Sequence, residues 1–356
     1  MTSQAPSGPD REIADGTDPP ATREVGESLA GSHGPLQRLQ HLLHAQPTIG
    51  PAAVLVVMIA VFSVLSPRFL LPNNLSLIAQ QVMVVGTLAI GQTIIILTAG
   101  VDLSVGAIML LATVSMGRIS AELGIPGVLV LGIGFMVGIA CGFLNGTLIT
   151  RLRLPPFIVT LGTLNIFFAL VLYVSRSVTI AGDRMDPLLL VMGNSVVILG
   201  AKVTFGTIAM LGMYGVMAVV LRTTAWGKHI YATGDDPEAA RLAGIRTRRV
   251  LISVYATAGF IYAIAAWFLI GRIQSASPLS GAEANLDTIT AVVIGGTSLF
   301  GGRGRILGTL LGALIVGGAR NGLTLIGVDP LWQDFAVGVL VIGAVAMDQW
   351  VRRVSA

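Results

Sequence analysis

Few side chains in this sequence have a type and spacing that could do chemistry. Of the four histidines, His33, His41 and His44 fall in the first 47 residues. The fourth, His229, follows Gly227 and Lys228, but no upstream glycine completes a phosphate-cradling G-x-x-x-x-G-K-[ST] loop. There is no H-E-x-x-H pair of metal ligands and no G-x-S-x-G nucleophile elbow, and the single Cys141 lies in an apolar run. Catalytic residues and a metal site are therefore not expected. Gly302-Arg303-Gly304, leading on to Gly308, misses a dinucleotide fingerprint by one residue and has no strand before it, so it reads as a tight turn between helices. A hydrolase or an intramembrane protease finds no support here.

What remains is polar rather than reactive. Gln80, Gln81, Gln92, Asn145, Thr160, Asn165, Arg320 and Asn321 sit inside apolar runs, and only Arg320 is an ionisable group well within one. Charges at membrane depth are costly unless they snorkel or pair, and Arg320 is long enough to snorkel. Amides and hydroxyls without deep acidic partners suit a passage for a neutral, polyhydroxylated solute better than proton coupling. Gln81, Gln92, Asn145, Asn165 and Asn321 are the candidate lining residues; each could equally hydrogen-bond one helix to the next.

A second feature is the stretch from Arg222 to Arg249, where Arg222, Lys228, Arg241, Arg246, Arg248 and Arg249 crowd between two apolar segments. Within it, Asp235 or Asp236 can cap a short helix, Pro237 suits its first position and Glu238 complements its dipole. Ala239, Ala240, Arg241, Leu242 and Ala243 follow, and Gly244 is placed to end the helix in a left-handed conformation. A helix this short is unstable alone in water, where about 12–15 residues are needed. It must be held by the body of the protein or by a partner, which marks it as a docking element.

The elements that position these residues follow from composition. Apolar residues make up 54% and charged residues 11% of 356, with a mean hydropathy of +0.83. The apolar residues fall in runs of membrane-spanning length, which predicts an all-α, polytopic membrane protein. Ten spans are placed, at 49–66, 75–98, 103–121, 126–149, 156–175, 204–221, 250–270, 286–300, 306–326 and 332–350. Those at 103 and 286 begin beside Asp102 and Asp287, which suits broken or re-entrant helices. Residues 1–47, rich in Gly, Pro and Ser and with six acidic residues, read as a disordered cytoplasmic tail with a short interfacial helix around Leu36–His44. Residues 48–351 form the transmembrane domain, with its cytoplasmic loop at 222–249. With the N-terminus inside, 15 of the 22 basic residues fall on the inner side and six on the outer, which puts both termini in the cytoplasm. The loops at 176–203 and 271–285 are then left to face an external partner. Gly134, Gly138, Gly142 and Gly146, and again Gly304, Gly308 and Gly312, recur every four residues. That spacing lets helices approach closely, within one subunit or across a dimer.

Four segments together carry a family likeness: Thr98-Ala-Gly-Val-Asp-Leu-Ser-Val-Gly106, Leu154-Pro-Pro-Phe-Ile-Val-Thr-Leu-Gly162, Ala232 to Ile245, and Ala291 to Gly304. The chain resembles the permease subunit of ribose/xylose-type bacterial ABC sugar importers, within a superfamily shared with branched-chain amino-acid permeases. The resemblance implies a homodimer or a paired permease in the cytoplasmic (inner) membrane. It further implies a cytoplasmic ATPase subunit that uses ATP and Mg, and an extracytoplasmic sugar-binding protein. It makes the E-A-A-x-x-x-G segment, from Glu238 to Gly244, the coupling helix, with Asp236, Pro237, Glu238, Ala239, Ala240, Arg241, Leu242 and Gly244 as its residues. The two alanines would permit close docking. Asp102, Ser104, Gly106, Asp287, Gly295 and Gly296 are carried over as family-motif residues. One departure stands out: related permeases read Gly-Tyr-Glu-Leu-Asp before the span near 290, and Asn285 here takes the place of that Glu.

The expected function is the permease of an ABC importer carrying a monosaccharide. Nucleosides or branched-chain amino acids are the alternatives within the class. An ion-coupled secondary transporter is the alternative outside it, and would need acidic residues paired deep in the membrane.

Overall fold

A computed structural model describes residues 48–198, 200–281, 284–339 and 342–343. The predicted tail, the helix around Leu36–His44, Glu283 and much of the last predicted span lie outside these residues. Twelve α-helices are placed, in chain order α1 Ile49–Leu65, α2 Pro72–Leu97, α3 Val105–Leu123, α4 Gly127–Leu152, α5 Pro156–Ser175 and the single turn α6 Pro187–Leu190. Then come α7 Phe205–Thr223, α8 Ala225–Asp235, α9 Pro237–Leu242, α10 Thr247–Ile273, α11 Ala284–Ile294 and α12 Ile306–Leu325. Residues 330–339 are helical again. The four strands are short and form two antiparallel pairs: β1 Ile180–Ala181 with β4 Ser275–Ala276, and β2 Ser195–Ile198 with β3 Ala201–Thr204. The protein is an all-α polytopic membrane protein. Seven helices, α2, α3, α4, α5, α7, α10 and α12, are long and apolar enough to cross a bilayer among the described residues.

Apolar periodicity and turn chemistry account for these elements. Pro72 and Pro156 open α2 and α5, where a missing N–H costs nothing. Thr204 and Thr224 cap α7 and α8 through their hydroxyls. α2 is the most enclosed helix, packed by α10, α11, α12 and α7. The Gly134–Gly146 stripe faces inward: a Cβ on Gly138 would lie 2.3 Å from Gly259 O, and one on Gly142 would lie 2.1 Å from Tyr255 O. Gly134 leaves room for Met116 of α3, and Gly138, Gly142 and Gly146 therefore make the α4–α10 contact within one subunit. Gly308 and Gly312 do the same against Gly295 and Ala291 of α11. The turn at 301–304 is as tight as its glycines suggest, with left-handed φ at Gly301 (+81°) and Gly302 (+69°).

Two expectations are corrected. The span placed at 286–300 is a helix only over Ala284–Ile294, and its 11 residues rise about 16 Å, half the apolar thickness of a bilayer. Glycines at 295 and 296 end it early. The span placed from 103 begins at Val105, after a non-helical and mostly buried segment at 98–104. Such backbone is tolerated where protein surrounds it. Within 271–281, Ala276 is fully buried and packs where Gly117 leaves room, while Gln274, Leu279 and Gly281 are exposed.

Candidate functional site

The docking helix forms with the caps its sequence predicts. Asp236 Oδ1 accepts from Glu238 N and Ala239 N, both at 2.9 Å, and Pro237 takes the first position. At the other end Gly244 adopts φ +86°. Gly244 N donates to Arg241 O and Ile245 N to Ala240 O, each at 3.0 Å. This pair of bonds is a Schellman closure, so six helical residues have few orphan groups left. Glu238 pairs with Arg241, and both side chains are exposed. The two alanines are not equivalent as docking residues: Ala239 is exposed, whereas Ala240 is only 4% exposed and seats α9 on its own protein. Leu242, at 80% exposure, is the apolar side chain that α9 presents outward.

Behind α9, three elements come together with backbone close to backbone at Leu97, Gly234 and Gly302. Gly302 N donates to Leu97 O at 3.0 Å, which ties the 301–304 turn to the end of α2. A Cβ on Gly234, near the end of α8, would lie 1.8 Å from the same Leu97 O. Tyr231 Oη donates to Gly304 O at 2.9 Å. Burial pushes the Tyr231 phenol up, with the Arg305 guanidinium pulling the other way, so it stays a neutral donor.

Asp102 and Ser104 of the motif residues and two of the candidate amides, Gln92 and Asn145, form one interior network. Asp102 Oδ1 accepts from Ser104 N and Oγ at 2.8 and 2.6 Å, and Ser104 Oγ in turn accepts from Asn145 Nδ2 at 2.9 Å. Gln92 bridges Tyr262 Oη and the Asp102 backbone, its amide oriented as those neighbours require. Gly106 N donates to Asn285 Oδ1 at 2.6 Å. The first turns of α3 and α11 thus converge, two helices starting deep in the protein with their N-termini together. Beside them a cavity of about 280 Å³ is lined by Gly106, Asn285, Asn165 and Phe168. Asn321 sits elsewhere, accepting from Asn74 Nδ2 at 2.8 Å between α12 and α2. Gln92, Asn145 and Asn321 therefore tie helices together; Asn165, which is exposed, faces open space.

Arg320 does not snorkel. It donates to Asp287 Oδ1 through Nε and Nη2 at 3.1 and 2.7 Å, and its Nη1 reaches Asp334 at 2.9 Å. The interior thus holds an acidic partnership that the run of amides did not suggest, because Asp287, Arg320 and Asp334 are far apart in sequence. Asp287 and Arg320 border a cavity of about 440 Å³ that also takes in Gln81, Arg272 and Ser280. Gln81 Oε1 is buried there without a partner among the described residues. Arg320→Met should cost up to about 3–5 kcal/mol, since it leaves Asp287 enclosed without its cation. Adding Asp287→Asn should restore most of that stability, as read from unfolding midpoints in detergent.

Sequence reasoning passed over Asn74, Tyr262 and Arg272. A tyrosine counts as apolar in a hydropathy window, and Asn74 and Arg272 lie at helix ends, where polar residues are ordinary. Gly295 is explained by the close approach of Gly308, and Gly296 by its left-handed φ of +82°.

A transport-protein family model described as "Branched-chain amino acid transport system / permease component" matches residues 74–345, taking in every element just described from α2 onward. The chain belongs to this permease family. The permease is 49% identical over 325 residues to the fructose import permease protein FrcC of Rhizobium meliloti, covering 90% of each chain. It is 37% identical to the ribose import permease protein RbsC of Bacillus subtilis, covering 88% of the permease and 96% of the relative. To the D-allose transport system permease protein AlsC of Escherichia coli it is 34% identical, covering 85% and 92%. No solved structure matches it. These relatives share the permease's role as a membrane-embedded transport subunit.

Proposed function

We propose that the permease carries a monosaccharide through the cytoplasmic membrane as one subunit of an ATP-driven importer. A separate ATPase docks on α9, and a sugar-binding protein delivers cargo to the opposite end. Two copies of the permease form the pathway, both termini lie in the cytoplasm, and ATP and Mg are used by the ATPase alone. The observation that carries this reading is α9, a fully capped six-residue helix that turns Glu238, Ala239 and Leu242 outward. A helix of that length has no independent stability, so its outward face is built to be covered. Relatives named for fructose, ribose and allose import support the sugar, as does an interior of amides and hydroxyls. Asn165 and Asn285, beside the paired N-termini of α3 and α11, are the residues proposed to meet it, a recurrent arrangement where transporter helices are broken. Gln81 is proposed to meet it in the larger cavity. Gln92, Asn145 and Asn321 hold the walls.

The ion triad Asp287–Arg320–Asp334 is the observation that favours an ion-coupled transporter instead. Purification of the tagged permease from its native membrane separates the two. Recovery of an ATPase, lost on Glu238→Arg with the permease still folded, supports the importer. No ATPase, with uptake that survives ATP depletion but collapses with the ion gradient, overturns it.

A further inference from the structure

Between the last turn of α7 and the first turn of α12 lies a cavity of about 640 Å³, at the same end of the protein as α9. Its rim is cationic. Arg222 from α7 and Arg305 before α12 line it, both are exposed, and neither guanidinium has an ion-pair or hydrogen-bond partner among the described residues. No acidic side chain lines it. The first amides of α12 add to the field: Arg305 caps the helix without a side-chain bond, and Ile306 N and Leu307 N precede the first intrahelical donors, Gly308 N and Thr309 N. Apart from Tyr231, whose hydroxyl is spent on Gly304 O, the remaining side chains of the wall are apolar. Ala218 and Leu307 line it, and Leu307 is 55% exposed, as is the neighbouring face of α7 at Val219 (60%). Two guanidiniums therefore sit where two membrane-length helices end, and an apolar wall runs from them along the helices.

We propose that this cavity is a binding site for the headgroup phosphate of an anionic phospholipid. The phosphate meets Arg222, Arg305 and the first amides of α12, and the acyl chains lie along Ala218 and Leu307. Guanidinium bonds to phosphate are charge-assisted and directional, and basic pockets between helices at a membrane surface are suited to such headgroups. A neutral sugar would leave both guanidiniums without a counter-charge. A free phosphate would use the rim but not the apolar wall, so the two sources of the same chemistry are separable.

The test uses the full-length permease, solubilised and titrated with phosphatidylglycerol, phosphatidylcholine or inorganic phosphate. Bound lipid is counted by native mass spectrometry, and stability is read from the unfolding midpoint. The expected result is at least a tenfold preference for phosphatidylglycerol over phosphatidylcholine, a midpoint that rises with phosphatidylglycerol, and no rise with inorganic phosphate at the same concentration. Arg222→Ala/Arg305→Ala should abolish the preference. Ala218→Trp, which fills the cavity and keeps both charges, should abolish it too and guards against misfolding of the double variant. An unchanged preference in both variants overturns the proposal. So does a midpoint raised equally by inorganic phosphate, which would make the site one for a soluble anion. Loss of ATPase co-purification in the double variant, with lipid retention intact, also overturns it and gives the arginines to the partner protein.

Discussion

Leu242→Glu is expected to strip the ATPase from the permease and stop uptake while leaving the permease inserted and folded. Leu242 is the most exposed apolar side chain of α9 and touches little of its own protein, so its loss should cost the subunit itself almost nothing. In the proposed complex it is buried. Covering a leucine contributes about 1.5–3 kcal/mol, and a carboxylate in its place would have to be desolvated as well. At about 1.4 kcal/mol per decade, ATPase affinity should fall by about 100-fold or more. Co-purification and ATP-dependent uptake in proteoliposomes measure this directly. An affinity within about threefold of the wild type would show that the partner does not cover this face. Leu242→Met, which keeps volume and apolarity, should retain most of the activity.

The second large effect is on assembly of the bundle. Gly142→Leu should prevent accumulation of folded protein, because even its Cβ would lie 2.1 Å from Tyr255 O and 3.2 Å from Ala256 Cα. The obstruction is backbone, so no rotamer relieves it, and α4 must move away from α10. Overpacking of this kind should exceed about 3 kcal/mol. Gly132→Leu is the matched comparison on the same helix, where a Cβ meets nothing within 4 Å. It should stay within about 0.5 kcal/mol of wild type. Fluorescence-detected size-exclusion of the two variants distinguishes a packing stripe from a general intolerance of leucine in α4. Equal, monodisperse profiles would refute the close approach.

Local rules made much of this legible in advance. The short helix α9 was readable apart from its cap, which was open between Asp235 and Asp236, because Pro237 and Gly244 each satisfy a specific backbone requirement within eight positions. The span positions followed from hydropathy; of the two flanked by Asp102 and Asp287, the second proved too short to cross, while the first is a continuous helix entered through a buried non-helical segment. What could not be read was pairing over long distances in the chain. Nothing near Arg320 announces Asp287 or Asp334, and nothing near Gly106 announces Asn285. Asn285 receives a backbone N–H from the start of α3, an acceptor role that an amide oxygen fills as a carboxylate would. Burial asymmetry within α9, which separates Ala239 from Ala240, was also beyond the sequence. It depends on which side of a single helical turn the rest of the protein lies.

The meeting of Leu97, Gly234 and Gly302 has a mechanical consequence. A hinge padded with side chains absorbs a push by letting rotamers yield, whereas backbone pressed on backbone has nothing soft to compress. A load applied to α9 passes through α8 onto the end of α2 and the 301–304 turn together, with negligible lost motion. The stroke delivered to the core should then equal the stroke applied outside, which makes this junction behave as a bearing rather than a spring.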